Sequence, residues 1–420
     1  MNFQKRPSFS ARDISILVFI GLAAVILGSI FIGANIAISR VVKGGGGFFV
    51  GLEGARAFLF EHTDPYSVTV ASLAQEQAYG RTAISGENPY ILTLPFYLLP
   101  FYFPFALFSE SASARGIWMF ICEITLISSA FIALRVIDWQ PRKLLIIFFY
   151  FVSIFNYYSV TAILEGTPVI LIGFLYFSFL FAYYHGRDEL AGSLLVFTMF
   201  FWQVGSLFLI LAIWKIFTDK RWRVFFGFGM TFVILFALSL LIYPGWIFSF
   251  IIASFMTLRS QFGITSAEIF ARLSPDYGHL ISQAATFLFV GMLIYEWIMA
   301  RRADLRRFVW AASLTLAVTP LIGFRTEISN LVLIFPCLTM IFAVTSDRWK
   351  TGWFLSILLL AIVFLVPWAF YVQGLAYHDQ RYQDYLFLFY PVFTILGLYW
   401  IRWWFIRPPR TLLDQLRAPG

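Results

Sequence analysis

The segment GGGGFFVGLEGARAFLFEHTDPY, residues 44–66, opens the longest polar interruption in a chain that is otherwise nearly continuous in apolar residues. Phe48, Leu52, Ala55 and Leu59 fall on one face at helical spacing, and the charged residues of the segment lie off that stripe. This pattern predicts a helix that rests on the bilayer surface and holds charged groups at the level of the lipid headgroups.

The composition of the whole chain predicts a membrane protein. Of its 420 residues, 60% are hydrophobic and 12% are charged, and the mean hydropathy is +0.81. Apolar runs of about 17–25 residues recur along the chain, which is the length that a spanning helix requires. We therefore expect one all-α integral membrane domain over residues 1–420, with about 12 transmembrane helices and a range of about 11–13.

The net charge of +8 comes from Lys and Arg that lie in short clusters between apolar runs, such as Arg301-Arg302. This is the positive-inside pattern, so the basicity indicates orientation and not a nucleic-acid partner. It predicts a multi-pass protein of the cell membrane with both termini cytoplasmic. Residues 406–420 would form a cytoplasmic tail, and residues 39–91 and 244–278 would form two external loops.

Two apolar stretches depart from a simple span. Residues 91–108 contain three prolines, which predicts a kinked or re-entrant helix. Residues 190–217 are too long for one ordinary crossing and are either tilted or broken near residues 203–206. A re-entrant first stretch together with a broken second one would place Arg142 and Lys143 inside, whereas straight spans would place them outside.

The order of these elements resembles glycosyltransferase family 87, which contains polyprenol-phosphate-mannose-dependent mannosyltransferases of the GT-C superclass. The resemblance is carried by the first apolar span, the glycines with their aromatic pair, and short motifs at residues 54–59, 64–66, 164–168 and 191–192. It implies a GT-C-like arrangement of helices.

Two positions depart from the pattern of that family. The family usually carries an Asp, the expected catalytic base, where this chain has Gly47. It also carries a Lys where this chain has Trp202, Gln203 and Val204. The implied fold survives both departures, whereas the implication that the chain is an active enzyme of the usual mechanism is weakened.

The resemblance implies transfer of a hexosyl group, mannose or another hexose, from a polyprenyl-phosphate donor to a glycolipid or glycan acceptor outside the cytoplasm. The anomeric carbon would be inverted. Such a step needs a carboxylate that takes the hydroxyl proton and cationic or amide donors that hold the departing phosphate. We expect no metal and no cofactor, because the sequence contains no cluster with metal-ligand spacing.

Two alternatives to an active transferase stay open. A catalytically silent relative that binds membrane lipid is favoured by Gly47. A transporter of lipid or sugar is disfavoured by the lack of an internal repeat and by the length of the first external loop.

Glu53 and Asp64 are the candidate catalytic bases. Glu53 belongs to the same predicted helix as Gly47 and lies nearly two turns from it. Its alternative role is a structural ion pair with Arg56, three residues further along the helix. Asp64 precedes a proline, which favours a turn-capping role over a catalytic one.

The candidates for binding the substrate or its phosphate come from both loops and from the ends of two spans. An arginine there could bind phosphate, or it could extend from a surface helix towards lipid headgroups. A polar residue at a span end could line the cavity or satisfy a helix terminus. We expect the site to be a cavity formed by residues 39–91 against residues 244–278. The candidates are Arg56, Arg259, Arg272, His279, Glu165, Arg325 and Glu327.

A few polar residues inside or between spans have other interpretations. Glu123 lies well inside a span, where a carboxylate is either functional or protonated. Cys122 and Cys337 sit in apolar runs without paired spacing and are predicted core residues. His378 and Asp379, in the last external loop, are predicted to be solvated.

Overall fold

The computed structural model describes residues 11–199, 202–260, 262–377 and 381–406. The predicted all-α class is confirmed within these ranges, where an isolated antiparallel bridge joins Ile264 to Thr326. The α-helices are α1 (Ala11–Val41), α2 (Gly46–Arg56), α3 (Val68–Tyr79), α4 (Phe103–Ala106), α5 (Ser111–Ile137), α6 (Lys143–Phe155), α7 (Tyr157–Glu165), α8 (Val169–Tyr184), α9 (Asp188–Val196), α10 (Trp202–Asp219), α11 (Trp222–Ile242), α12 (Trp246–Arg259), α13 (Ser266–Leu273), α14 (Gly278–Ala300), α15 (Leu305–Val318), α16 (Phe335–Arg348), α17 (Gly352–Tyr377) and α18 (Tyr382–Ile406). Ala57–Glu61 adds a π turn to α2, and 3₁₀ helices cover Phe96–Tyr102, Thr319–Ile322 and Ile328–Ile334.

The described residues contain eight helices that are long and apolar enough to cross a membrane, or nine if the bent pair of α6 and α7 forms one span. This supports a multi-pass membrane protein, while the count of twelve stays a prediction. The difference arises at three predicted spans, because residues 91–108 contain only short helices, α8 has 16 residues, and residues 190–217 are divided into α9 and α10. At 1.5 Å per residue, such helices fall short of the roughly 30 Å hydrocarbon core.

Both irregular stretches deviate from straight helices. Residues 91–95 contain no helix, and the prolines are followed by the 3₁₀ helix Phe96–Tyr102 and the short α4. The second stretch is divided into α9 and α10, since α9 ends at Val196 and α10 begins at Trp202. The interruption therefore precedes residues 203–206, which belong to α10.

Helix α2 is buried against other parts of the protein on several faces, whereas the sequence predicted one buried stripe; its position at the bilayer surface stays a prediction. Phe48 and Leu52 of the apolar stripe are fully buried, and Gly51 and Gly54 on other sides of the helix are buried as well. The glycines explain the difference, because without a side chain they allow neighbouring segments to pack directly against those faces of α2. A Cβ atom at Gly51 would lie 2.4 Å from the ring of Tyr102.

The contact between α9 and α11 is a close backbone approach through two glycines. A Cβ atom at Gly192 would lie 1.9 Å from the carbonyl oxygen of Val224, and one at Gly227 would lie 2.3 Å from that of Glu189. Small residues allow this close approach of the two backbones. The van der Waals packing that results stabilises the helix pair, because surrounding lipid provides no hydrophobic driving force for helices to associate.

The segment of residues 244–278, which was expected to be a polar external loop, contains an apolar helix. It contains α12, whose Phe248, Ile252 and Phe255 are exposed, followed by α13. It is joined to the turn before the 3₁₀ helix Ile328–Ile334 by the bridge between Ile264 and Thr326, with N···O distances of 2.9 and 3.1 Å.

Two carboxylates inside long helices, Glu123 and Glu296, have polar partners on neighbouring helices. Asn35 of α1 donates a hydrogen bond of 3.1 Å to Glu123 of α5, and buried Glu296 of α14 forms a 2.9 Å ion pair with Arg402 of α18. Cys122 and Cys337 are buried, as predicted. His378, Asp379 and residues 407–420 of the predicted tail lie outside the described residues.

Candidate functional site

A polar cavity of about 330 Å³ lies where the segments of residues 39–91 and 244–278 meet. Both segments contribute lining residues, among them Asn88 and Tyr90 from the first and Gly263 from the second. The rest of the lining comes from residues 92–94, residues 167–169, Met199 with Gln203 and Val204 of α10, and the turn around Glu327. Of the positions singled out in the sequence, Gly47, Gln203, Val204, Arg325 and Glu327 line this cavity.

The four consecutive glycines beside the cavity are explained by what each one touches. Gly44 and Gly45 have φ angles of 115° and 87°, which residues with a side chain rarely adopt. A Cβ atom at Gly46 would lie 1.9 Å from the ring of Tyr90. One at Gly47 would lie 2.9 Å from the carbonyl oxygen of Glu165. The run therefore brings the start of α2 into contact with the end of α7.

Replacing Gly47 with Asp should destabilise the protein by about 1–3 kcal/mol, the usual cost of overpacking. The reason is that the new Cβ atom meets the backbone of residues 165–167 and not a movable side chain. Thermal unfolding of the purified chain in detergent measures the effect. Gly47→Ala is the matched control, since it adds the Cβ atom without the carboxylate. A stable Gly47→Asp variant with raised sugar transfer would contradict this expectation and identify the missing Asp as the base.

Glu165, at the end of α7, forms a pair with Tyr90. The Tyr90 hydroxyl donates to Glu165 Oε2 over 3.1 Å. Burial, reinforced by the negative charge of Glu165, raises the pKa of Tyr90 far above its ordinary value, so the phenol stays protonated. Tyr90 has a φ angle of 41°, and its N–H donates to the side chain of Asn88 over 3.0 Å. Glu165 thus lies behind Tyr90, while Tyr90 lines the cavity.

Glu327 is the carboxylate that lines the cavity directly. Asn88 Nδ2 donates to its Oε1 over 2.8 Å, and Ser329 Oγ donates to its Oε2 over 3.4 Å. Burial, with the nearby charge of Glu165 as a smaller cause, raises the pKa of Glu327 to about 7. Both hydrogen bonds oppose that shift without cancelling it. Glu327 can therefore accept and release a proton near neutral pH.

Arg325 also lines the cavity and forms an ion pair with Glu268 of α13. It donates a second hydrogen bond of 3.1 Å to the carbonyl oxygen of Gly263. Further along the chain, Asn330 accepts from Thr167 and donates to Thr326, both over 3.2 Å. The cavity wall is thus cross-linked by hydrogen bonds between segments that are distant in sequence.

The two predicted bases do not line the cavity. Glu53 is 6% exposed and accepts hydrogen bonds from Arg56 over 2.8 Å and from Gln77 over 2.6 Å. Arg56 is itself tied to the carbonyl oxygen of Phe108 over 2.7 Å. This is the ion pair that the helical spacing offered as the structural alternative.

Asp64 has the geometry of a turn-capping residue. Its Oδ1 accepts from the backbone N–H of Tyr66 over 2.9 Å. Its Oδ2 accepts from Ser249 of α12 over 2.7 Å, which ties the segment of residues 39–91 to that of residues 244–278.

The remaining predicted phosphate-binding residues, Arg259, Arg272 and His279, are not part of the cavity lining, although Leu258 and Ser260 on either side of Arg259 are. Arg259, at the end of α12, and His279, at the start of α14, are exposed. Arg272 of α13 forms a 2.9 Å ion pair with buried Asp384 of α18. The structure therefore brings together Arg325, Glu327 and, behind Tyr90, Glu165, and leaves the other candidates outside.

An apolar groove of about 300 Å³ adjoins the polar cavity, since Leu94 and Pro168 line both. Its other walls are apolar side chains from the 3₁₀ helix Phe96–Tyr102, from α5, α8 and α9, and from Phe197 just after α9. A molecule with a polar head and an apolar chain could occupy both spaces at once.

Sequence reasoning missed Asn88 and Tyr90 as site residues. Both lie in the predicted loop of residues 39–91, but Glu327, the partner of Asn88, lies 239 residues away. No local pattern signals such a contact. Among the described residues there is no group of three or more His, Cys, Asp or Glu side chains placed to hold a metal ion. Comparison of the chain with protein-family models, curated proteins and solved structures finds no match.

Proposed function

We propose that this chain is an integral membrane glycosyltransferase of the GT-C type, which transfers a hexosyl group, mannose or another hexose, from a polyprenyl-phosphate donor to a glycolipid or glycan acceptor. The observation that carries the proposal is the junction of the polar cavity with the apolar groove at Leu94 and Pro168. The cavity faces the outside of the membrane in this proposal, and the termini face the cytoplasm.

The groove supports a lipid-borne donor. Its lining is almost wholly apolar, and it begins where the cavity ends. Each CH₂ group buried there would contribute about 0.8 kcal/mol to binding. The phosphate and sugar would then lie in the cavity, where Arg325 supplies a positive charge and Asn88, Thr167 and Asn330 supply polar groups.

Glu327 is the proposed base, in place of Glu53. It takes the proton of the acceptor hydroxyl while the hydroxyl oxygen forms a bond to the anomeric carbon. The bond between that carbon and the phosphate oxygen breaks on the opposite face, and the phosphate leaves with the electron pair. Arg325 stabilises the charge that develops on the departing phosphate. The result is transfer with inversion, for which protein groups supply the acid–base chemistry.

The test compares a long-chain polyprenyl-phosphate [³H]mannose with a single-isoprene analogue in a transfer assay on the purified chain. We expect the long chain to have the lower KM. Leu175→Trp, which fills the groove, should raise that KM about tenfold, the effect of losing about two buried CH₂ groups. It should leave the analogue unaffected. Leu238→Trp is the matched control, because Leu238 is an exposed leucine of α11 outside the groove.

Two outcomes would overturn the proposal. Equal KM values for both donors, unchanged by Leu175→Trp, would show that the groove does not bind the isoprenoid chain of the donor. Uptake of substrate into proteoliposomes without covalent transfer from any polyprenyl-phosphate hexose would identify a transporter instead.

A further inference from the structure

A chain of three hydrogen bonds runs from the end of α7 to the carboxylate of Glu327. Glu165, the last residue of α7, accepts from the hydroxyl of Tyr90 over 3.1 Å. The backbone N–H of Tyr90 donates to Asn88 Oδ1 over 3.0 Å, and Asn88 Nδ2 donates to Glu327 Oε1 over 2.8 Å. Because an N–H group needs the oxygen of the amide as its acceptor, the NH₂ group of Asn88 is the one that faces Glu327.

The loop of residues 88–90, which carries this chain, is also bonded to α3. The carbonyl oxygen of Asn88 accepts from the hydroxyl of Tyr79 over 3.3 Å, and that of Pro89 accepts from Gln75 Nε2 over 2.6 Å. Tyr90 has a φ angle of 41°, in a region that residues with a side chain rarely adopt. Such a conformation persists only where the surrounding contacts impose it. The loop therefore has an imposed geometry next to the cavity.

Among the described residues, two side chains donate hydrogen bonds to the carboxylate of Glu327. The bond from Asn88 is 2.8 Å long, whereas the bond from Ser329 Oγ is 3.4 Å long and exceeds the ordinary range for a hydroxyl donor. Asn88 therefore does most to fix the direction of this carboxylate. A donor in that position also stabilises the charged form of the carboxylate relative to its protonated form.

We propose that Asn88 is a positioning residue, which orients the carboxylate of Glu327, and that the hydrogen bond between Tyr90 and Glu165 holds Asn88 in place. This inference rests on the proposed function, in which Glu327 takes the proton of the acceptor hydroxyl. A general base must have an oxygen within hydrogen-bond reach of that proton. Asn88 occupies Oε1, which leaves Oε2, with its long bond to Ser329, for the acceptor hydroxyl.

The test is a pH titration of the purified full chain followed by infrared spectroscopy, which needs no substrate. The band of a protonated carboxyl group that is missing from Glu327→Gln reports the titration of Glu327. Asn88→Leu keeps the size of the side chain and removes the donor. We expect it to raise the midpoint of this titration by about one pH unit, which is a tenfold change in proton affinity. The acid limb of the kcat/KM profile should move by the same amount.

Tyr90→Phe tests the second part of the proposal, because it removes a single oxygen atom and leaves Asn88 in the chain. It should raise the midpoint as well, but by less than Asn88→Leu does. The other titratable or charged groups of this region are Glu165 and the ion pair of Arg325 with Glu268. Neither substitution alters a charge, since the phenol of Tyr90 is protonated. A shift therefore reports the lost hydrogen bonds.

Gln203→Leu is the matched control, since it makes the same change at another amide of the cavity lining, on α10. It should leave the midpoint of Glu327 unchanged. An unchanged midpoint in Asn88→Leu, or an equal shift in Gln203→Leu, would overturn the role of Asn88. An unchanged midpoint in Tyr90→Phe would overturn the role of the bond to Glu165. Absence of sugar transfer by the wild type would instead count against the proposed function, because the infrared titration does not depend on it.

Discussion

Replacing Glu327 with Gln should reduce sugar transfer by about 10²–10⁴-fold, the usual contribution of a general base. The amide keeps the shape of the carboxylate and the acceptor atom that faces Asn88, but it cannot take the proton of the acceptor hydroxyl. The measurement is the initial rate of transfer from labelled polyprenyl-phosphate mannose. We expect kcat to fall far more than KM rises, because the lost interaction belongs to the transition state.

The pH dependence of the wild type provides a second measure of Glu327. Because its pKa is raised to about 7, kcat/KM should rise with pH up to about 7 and level off above it. The stability should change in the opposite direction. The folded protein holds the proton of Glu327 more tightly than the unfolded chain does, so stability should fall as pH rises from the ordinary value of 4.5 towards and through 7. Glu327→Gln should remove this dependence.

Glu53→Gln is the matched control, since the same chemical change is made at a carboxylate outside the cavity. It breaks the buried ion pair with Arg56, so it should lower the melting temperature and leave kcat near the wild-type value. The reverse result, with transfer abolished in Glu53→Gln and retained in Glu327→Gln, would restore Glu53 as the base that the sequence suggested.

Replacing Gly192 with Ala should destabilise the protein by more than about 3 kcal/mol, the upper end of ordinary overpacking. The new Cβ atom would lie 1.9 Å from the carbonyl oxygen of Val224 and 2.6 Å from the backbone nitrogen of Phe228. Both are backbone atoms of α11, so no side-chain rotation relieves the contact and the two helices must separate. Expression level and thermal unfolding in detergent measure the effect.

Gly229→Ala is the matched control for that substitution. Gly229 belongs to α11 as well, and a Cβ atom there meets nothing within 4 Å. Alanine in a helix interior is favoured over glycine by up to about 1 kcal/mol, so this variant should be neutral or slightly more stable. Similar stability of the two variants would show that α9 and α11 are free to move apart.

The membrane class and most long helices could be predicted because they depend on composition and on runs of apolar residues. The burial of α2 on several faces could not be predicted. A hydrophobic stripe marks one buried face of a helix, and it does not show that glycines allow the other faces to be buried too. Gly51 and Gly54 carry this information only once Tyr102 and Leu92 are placed against them.

The candidate site was predictable in outline and not in detail. The meeting of residues 39–91 with residues 244–278 followed from their expected position on one side of the membrane. The choice between Glu53 and Glu327 required three-dimensional contacts, since the sequence does not show which of these glutamates faces the cavity. The three-residue spacing of Glu53 and Arg56 predicted, as one alternative, the ion pair that the two side chains form in the structure.

The turn that carries Glu327 is bonded to two distant parts of the chain, through Asn88 on one side and through the bridge of Thr326 with Ile264 on the other. During synthesis Asn88 and Ile264 leave the ribosome before the turn that bonds to both of them. This wall of the cavity can therefore close only after residue 327 has emerged, so its assembly waits for the last quarter of the chain.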